Sequence, residues 1–100
     1  MVHELKIEPN FYEQIKNGDK PFEVRKDDRH YSVGDILALN ELDETHTGYT
    51  GRSMLVTVTS ILRDERFLQK GYAVMGIKRV GVMDNCFQGF KFEICGGKGK

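Results

Sequence analysis

A chain of 100 residues is long enough to bury one modest hydrophobic core, and we predict a single domain over residues 1–100. The 15 Lys and Arg residues balance the 15 Asp and Glu residues, so we do not expect the protein to coat nucleic acid through bulk attraction to phosphates, and any such contact needs a local patch. Nothing at the N-terminus is typical of a signal peptide, and no apolar run is long enough to span a membrane. We therefore expect a soluble, cytoplasmic protein without a membrane partner.

The cysteines and histidines do not follow a metal or redox motif. Cys86 and Cys95 are nine positions apart, without C-x-x-C spacing, and His3, His30 and His46 lie in separate segments. We expect no metal and no other cofactor. Free or buried thiols are favoured over a disulfide, because a reducing compartment rarely preserves such a bond.

The first two predicted elements are a strand and a short helix. Residues 2–8 alternate, with Leu5 and Ile7 on one buried face. Pro9 fits the first turn of a helix, where its missing N–H has no partner, and Gly18 is suited to the left-handed conformation that ends many helices. The apolar stripe of this helix is formed by Phe11, Tyr12 and Ile15.

Residues 18–25 (GDKPFEVR) combine a turn with the start of a second strand. Pro21 favours an extended chain before it, so the following side chains should alternate between two faces. Phe22 and Val24 are predicted to be buried, each contributing about 1.5–3 kcal/mol. Glu23 and Arg25 are predicted to share the opposite, exposed face, with Lys20 at the entrance of the strand. The interpretation without a function is that these charges form a weak surface ion pair.

The rest of the chain predicts further strands separated by polar loops. Residues 26–30 form either a solvated connection or the lip of a binding site that includes Arg29. Residues 63–70 are predicted to form a helical turn with Phe67 and Leu68 pointing inward. The strands are expected at residues 36–42, 52–62 and 71–78, with a long loop at 43–51, one more strand containing Phe90, Phe92 and Ile94, and a frayed end at 96–100.

Five or six short strands with one or two short helices predict a mostly β (α+β) fold, a small and mostly antiparallel β-barrel. The spacing G-x-K-x-x-E-x-R at Gly18, Lys20, Glu23 and Arg25 resembles the signature of ASCH domains, which belong to the PUA-like superfamily of small β-barrels. Three further motifs point the same way: L-K-I-x-P from Leu5 to Pro9, V-G-D-I-L-x-L from Val33 to Leu39, and Y-T-G-R from Tyr49 to Arg52.

Together these motifs resemble the small single-domain ASCH-like group of unknown function (DUF3850-like) of bacteria and phages. The resemblance covers residues 3–78 and leaves residues 79–100 as an extra strand and tail. It implies an RNA- or nucleotide-binding domain with a cleft beside the motif. Lysine can supply a point charge for phosphate, arginine a planar fork and glutamate an acceptor. The predicted cleft residues are Lys20, Glu23, Arg25, Tyr49 and Arg52, and Tyr49 either stacks on a base or anchors its loop.

Two alternatives to a binding domain remain open, and the first is a hydrolase that acts on a modified nucleoside or on RNA. Some ASCH-related proteins are amidohydrolases that use a lysine with a threonine three residues later, whereas here Lys20 is followed by Glu23, which cannot be a hydroxyl nucleophile. Thr50 could replace it only from another part of the fold. Ribonuclease activity would require Lys20 or Tyr49 to transfer protons. No catalytic residue is predicted, and Lys20, which matches the lysine of the amidohydrolases, is kept as a candidate. The second alternative is a protein-interaction module.

Overall fold

The computed structural model describes residues 1–84 and 91–94, and these residues contain six strands and one short helix. This mostly β architecture confirms the predicted fold class. The predicted strand near the C-terminus is present, although Phe90 itself lies outside the described residues, as do both cysteines and residues 96–100. The elements are β1 (Val2–Ile7), α1 (Pro9–Lys16), β2 (Phe22–Lys26), β3 (Ile36–Leu42), β4 (Tyr49–Leu62), β5 (Tyr72–Asp84) and β6 (Lys91–Ile94).

The strands form a sheet in the order β1-β3-β4-β5-β2, and β6 pairs with the far end of β5. The β1–β3 pair is parallel and the other pairs are antiparallel. The register between β4 and β5 shifts after Leu55 and again after Val58. Such irregularities bend and twist a sheet, and this one curls into a half-barrel whose two end strands are β1 and β2.

The hydrophobic core lies inside the curl and beneath α1. Tyr12 and Ile15 are its contribution from the helix, whereas Phe11, predicted in the same stripe, points outward and is 40% exposed. Pro9 occupies the first turn, and Gly18 has a φ of 85°, as predicted for the end of the helix. The largest fully buried side chains are Tyr12, Leu37, Leu39, Met54, Met75, Val56 and Val58.

The prediction for the two faces of β2 is wrong. Glu23 is buried, with 4% of its surface exposed, whereas Phe22 is 40% and Val24 48% exposed. The register with β5 is the reason, because Glu23 lies opposite Met75 and directly paired residues point to the same side of a sheet. Since Met75 faces the core, Glu23 must do so too.

The two predicted irregular segments also differ from expectation. The loop after β3 spans only residues 43–48, because Asp43 accepts hydrogen bonds from the backbone N–H groups of Thr45 and Thr47, each at 3.1 Å. This compact turn lets Tyr49 pair with Leu42 as β4 begins. Residues 63–70 contain the predicted turn, in which the Leu68 N–H donates to the Asp64 carbonyl at 3.0 Å, but Phe67 is 72% exposed instead of buried.

Within the described residues, no helix has the length and apolar character needed to cross a membrane.

Candidate functional site

Glu23 is the centre of a three-residue ionic cluster at the start of β2. Its Oε2 accepts a hydrogen bond from Arg25 Nε at 2.6 Å, and its Oε1 accepts one from Lys20 Nζ at 3.3 Å. Two cations therefore surround one buried carboxylate, which offsets the cost of burying it. We call Lys20, Glu23 and Arg25 the Glu23 cluster. Its formal charge is +1, so it can still attract an anion.

Arg25 also bridges the opening of the half-barrel. Its Nη2 donates to the backbone carbonyl of Lys6 in β1 at 2.6 Å, and Arg29 Nη1 donates to the carbonyl of Glu4 at 3.1 Å. Carbonyls two residues apart point to the same edge of a strand, and these lie on the edge of β1 that does not pair with β3. The two arginines thus provide hydrogen-bond donors for two carbonyls on the unpaired edge of β1. They also hold β1 close to β2 and to the loop that follows β2.

The Lys20 side chain is enclosed by aromatic rings as well as by acceptors. Its Nζ lies 5.0 Å from the ring centre of Phe11 and 4.8 Å from that of Phe22, and it donates to the Phe22 carbonyl at 3.0 Å. Cation–π contacts at these distances are favourable. Although Phe11 and Phe22 are each 40% exposed, both rings therefore have a favourable contact with the Lys20 ammonium.

A cavity of about 300 Å³ opens beside the Glu23 cluster. All three cluster residues line it, together with Phe11. Lys6 and Glu8 add one charge of each sign, so its lining mixes cations, acids, an aromatic ring and aliphatic carbon. We call it the mixed cavity.

A second cavity, of about 330 Å³, lies at the C-terminal end of α1. The charged residues of its lining are Lys16, Lys20, Lys78 and Arg79. Among the described residues that form this lining there is no acid, so we call it the basic cavity. Lys20 belongs to both linings and separates the two spaces.

Arg52 belongs to a different ionic cluster. Its Nε and Nη2 donate to the two oxygens of Glu41, both at 2.9 Å, and Nη2 also donates to Glu13 in α1 at 2.8 Å. The guanidinium lies 4.6 Å from the ring centre of Tyr12. Arg52 thereby packs β4 against the helix, and it lines neither cavity.

Thr50 and Tyr49 stand near Arg52 and apart from the Glu23 cluster. Thr50 Oγ1 donates to Glu41 Oε1 at 2.7 Å, while Tyr49 is exposed and lines neither cavity. Burial raises the pKa of Glu41, but the hydrogen bonds from Arg52 and Thr50 outweigh it and hold that pKa below its usual value. A carboxylate of lowered pKa is a poor general base for a threonine nucleophile. The five predicted cleft residues thus fall into two groups.

Glu41, the aromatic rings beside Lys20 and the other cations of the basic cavity were not predicted as site residues from the sequence. Glu41 could have been found, because it continues the alternation of Leu37 and Leu39 on β3 and must face inward with them. Lys78 and Arg79 carry no local signal, since only the fold brings β5 to the end of α1. Within residues 1–84 and 91–94, no histidine, cysteine or acidic side chains gather in a group that could hold a metal ion.

The fold and these side chains define a small, mostly β half-barrel domain with two cavities lined in part by charged side chains, and Lys20 lines both of them. The chain belongs to the family described as Domain of unknown function (DUF3850), whose model matches residues 2–77. It is 33% identical over 60 residues to an uncharacterized 12.9 kDa protein in the GpA 3′ region of Escherichia phage P2. That match covers 60% of this chain and 53% of the phage protein, so the chain spans about half the length of this relative.

The fold is similar to that of a solved structure, the crystal structure of hypothetical protein PH0355. The TM-score is 0.54 at 18% sequence identity, and the match covers 80% of this chain and 100% of the other. At this identity the likeness concerns the fold alone.

Proposed function

We propose that this protein is an RNA- or nucleotide-binding domain and that its ligand occupies the mixed cavity beside the Glu23 cluster. The observation that carries the proposal is Lys20, whose ammonium is fixed between two aromatic rings at the wall of that cavity. The resemblance of Gly18, Lys20, Glu23 and Arg25 to the ASCH signature of the PUA-like superfamily supports it independently.

The cluster still has hydrogen-bonding capacity for a ligand. Glu23 accepts one described side-chain bond at each oxygen, and a carboxylate oxygen can accept a second from an amino or amide group of a base. Arg25 uses Nε and Nη2, which leaves its Nη1 donors for a base edge or sugar oxygen. Phe11 offers a partly exposed ring against which a base can stack.

Tyr49 and Arg52 have a secondary place in this proposal. Because neither lines the mixed cavity, a single nucleotide bound there does not need them. A longer single strand would need to leave the cavity before it reached Tyr49. We therefore propose Lys20, Glu23, Arg25 and Phe11 as the primary contacts.

The test is calorimetric titration of nucleosides, mononucleotides and short single-stranded RNAs against wild type and Lys20→Met. Lys26→Met is the matched control, because Lys26 is an exposed lysine at the end of β2 and lines neither cavity. We expect Lys20→Met to weaken binding about tenfold or more, the loss typical of a charged hydrogen bond, and the control to bind like wild type.

Phe11→Leu is a second variant, since it leaves the Glu23 cluster intact and removes only the ring. Stacking is worth about 1–3 kcal/mol per base, so this variant should also lose affinity. Its stability should fall by at most about 1 kcal/mol, the worth of the cation–π contact between Phe11 and Lys20. If both Lys20→Met and Phe11→Leu bound these ligands with the affinity of wild type, the proposed site would be overturned. Hydrolysed substrate in the same mixtures would favour the hydrolase alternative, and flat titrations would favour a protein-interaction module.

A further inference from the structure

The basic cavity concentrates positive charge in a chain whose charges otherwise balance. Four cationic residues line it, against 15 cations and 15 acids in the whole chain. A concave surface lined by one sign of charge focuses the field and attracts small ions of the opposite sign. Its volume of about 330 Å³ also lies within the range of small-molecule sites.

The cations of the basic cavity come from three separate parts of the chain. Lys16 lies in the last turn of α1, Lys20 in the turn that follows, and Lys78 and Arg79 in β5. Arg79 Nη1 donates to the carbonyl of Lys16, so β5 is tied to the end of the helix. A cation at that position is also favoured by the helix dipole. The cavity is therefore assembled by tertiary structure and is not a run of neighbouring surface lysines.

The two cavities differ in the chemistry they can accept. The mixed cavity sets Glu8 and Glu23 against three cations, which leaves a net charge of only +1, and it includes the Phe11 ring, so its lining suits a base or sugar. The basic cavity offers ammonium groups and the Arg79 guanidinium, the donors that recognise phosphate oxygens. Lys20 stands between them, within reach of both.

We infer that the basic cavity binds a phosphate group of the nucleotide whose base and sugar occupy the mixed cavity. This inference rests on the proposed function and narrows it. The ligand is then a mononucleotide or the phosphorylated end of a strand, and an unphosphorylated nucleoside is a poor substitute. Lys20 lines both cavities, so in this arrangement it neutralises Glu23 in the mixed cavity and faces the phosphate in the basic cavity.

The experiment compares four nucleosides with their 5′-monophosphates by calorimetry, using the full chain, and adds inorganic pyrophosphate as a probe without a base. The variants are Lys78→Gln and, as matched control, Lys70→Gln, an exposed lysine that lines neither cavity. Both variants remove one positive charge, and neither residue belongs to the core.

We expect the monophosphates to bind wild type at least about tenfold more tightly than the nucleosides, as for a group held by several charged donors. Lys78→Gln should weaken monophosphate binding about threefold to tenfold and leave nucleoside binding unchanged, while Lys70→Gln changes neither. Higher salt should reduce the advantage of the monophosphates.

The outcomes separate this inference from the proposed function. Nucleoside binding with no gain from a phosphate, or equal losses for both ligands in Lys78→Gln, would overturn the inference and retain the nucleotide-binding proposal. Pyrophosphate binding that is lost in Lys78→Gln, with no binding of any nucleoside or nucleotide, would overturn the proposed function and the joint site while identifying the cavity as an anion site. Absence of binding for every probe would overturn both.

Discussion

The Arg25 guanidinium donates to the backbone carbonyl of Lys6 at 2.6 Å and to the Glu23 carboxylate at 2.6 Å, so one side chain joins the two end strands of the sheet. An open strand edge normally invites pairing with another chain. Here Arg25 and Arg29 cover two successive carbonyls of that edge. Arg25, which we propose as a ligand contact, therefore also has a structural role, and the two roles need separate measurements.

Removing Arg25 should destabilise the fold. Arg25→Met leaves the buried Glu23 with Lys20 as its cation and leaves the Lys6 carbonyl unsatisfied, which should cost about 2–4 kcal/mol in free energy of unfolding. Urea denaturation measures this loss. Arg66→Met is the control, because the Arg66 side chain is 79% exposed and its contacts with Asp64 and with the Phe67 ring lie within its own turn. Equal stabilities of the two variants would contradict a closing role for Arg25.

The outward face of β2 should tolerate a charge. Val24→Lys places an ammonium on a face that is 48% exposed, so the change in unfolding free energy should stay within about 1 kcal/mol, the range of strand propensities. Met75→Ala, on the inward face opposite Glu23, should cost about 2–5 kcal/mol because it opens a cavity in the core. If thermal melts gave Val24→Lys the larger loss, the observed register of β2 would be wrong.

Arg52 should matter for stability and not for nucleotide binding. Arg52→Lys cannot reproduce the fork that contacts both Glu41 oxygens, so the free energy of unfolding should fall by about 1–3 kcal/mol. Mononucleotide affinity of the folded variant should equal that of wild type, because Arg52 lines neither cavity. If Arg52→Lys instead reduced mononucleotide affinity and left the free energy of unfolding unchanged, Arg52 would be a ligand contact, as predicted from the sequence.

Acid should weaken the fold through Asp35. Its hydrogen bond with His3, at 2.8 Å, and one from the Ser32 N–H lower its pKa from 3.8 to about 2. A carboxyl with a depressed folded-state pKa stabilises the protein above its ordinary pKa, and this stabilisation is lost as the pH falls from about 4 to 2. Denaturation at several pH values should show a shallower slope in this window for Asp35→Asn. The exposed Asp28→Asn is the control, and an identical slope in Asp35→Asn and wild type would contradict the prediction.

Much of the chain's architecture was predictable because it depends on local chemistry. Pro9 and Gly18 bound the helix, and the alternation of Leu5 with Ile7 and of Ala73 with Met75 and Ile77 identifies the buried faces of two strands. In these segments the residues that favour the local conformation also favour the final packing, so sequence and structure agree. The family membership likewise follows from motifs that lie within residues 2–77.

The arrangement of the candidate site was decided by tertiary structure. Alternation alone could not tell which face of β2 is buried, because the register with β5 places Glu23 opposite Met75 and two cations make that burial tolerable. The separation of Arg52 from Lys20 depends on which acids each one meets across the fold. Lys78 reaches the basic cavity because β5 passes the end of α1. The sequence alone determined the elements and the presence of a charged motif, whereas long-range pairing determined which charges lie together, since contacts between distant residues leave no local pattern.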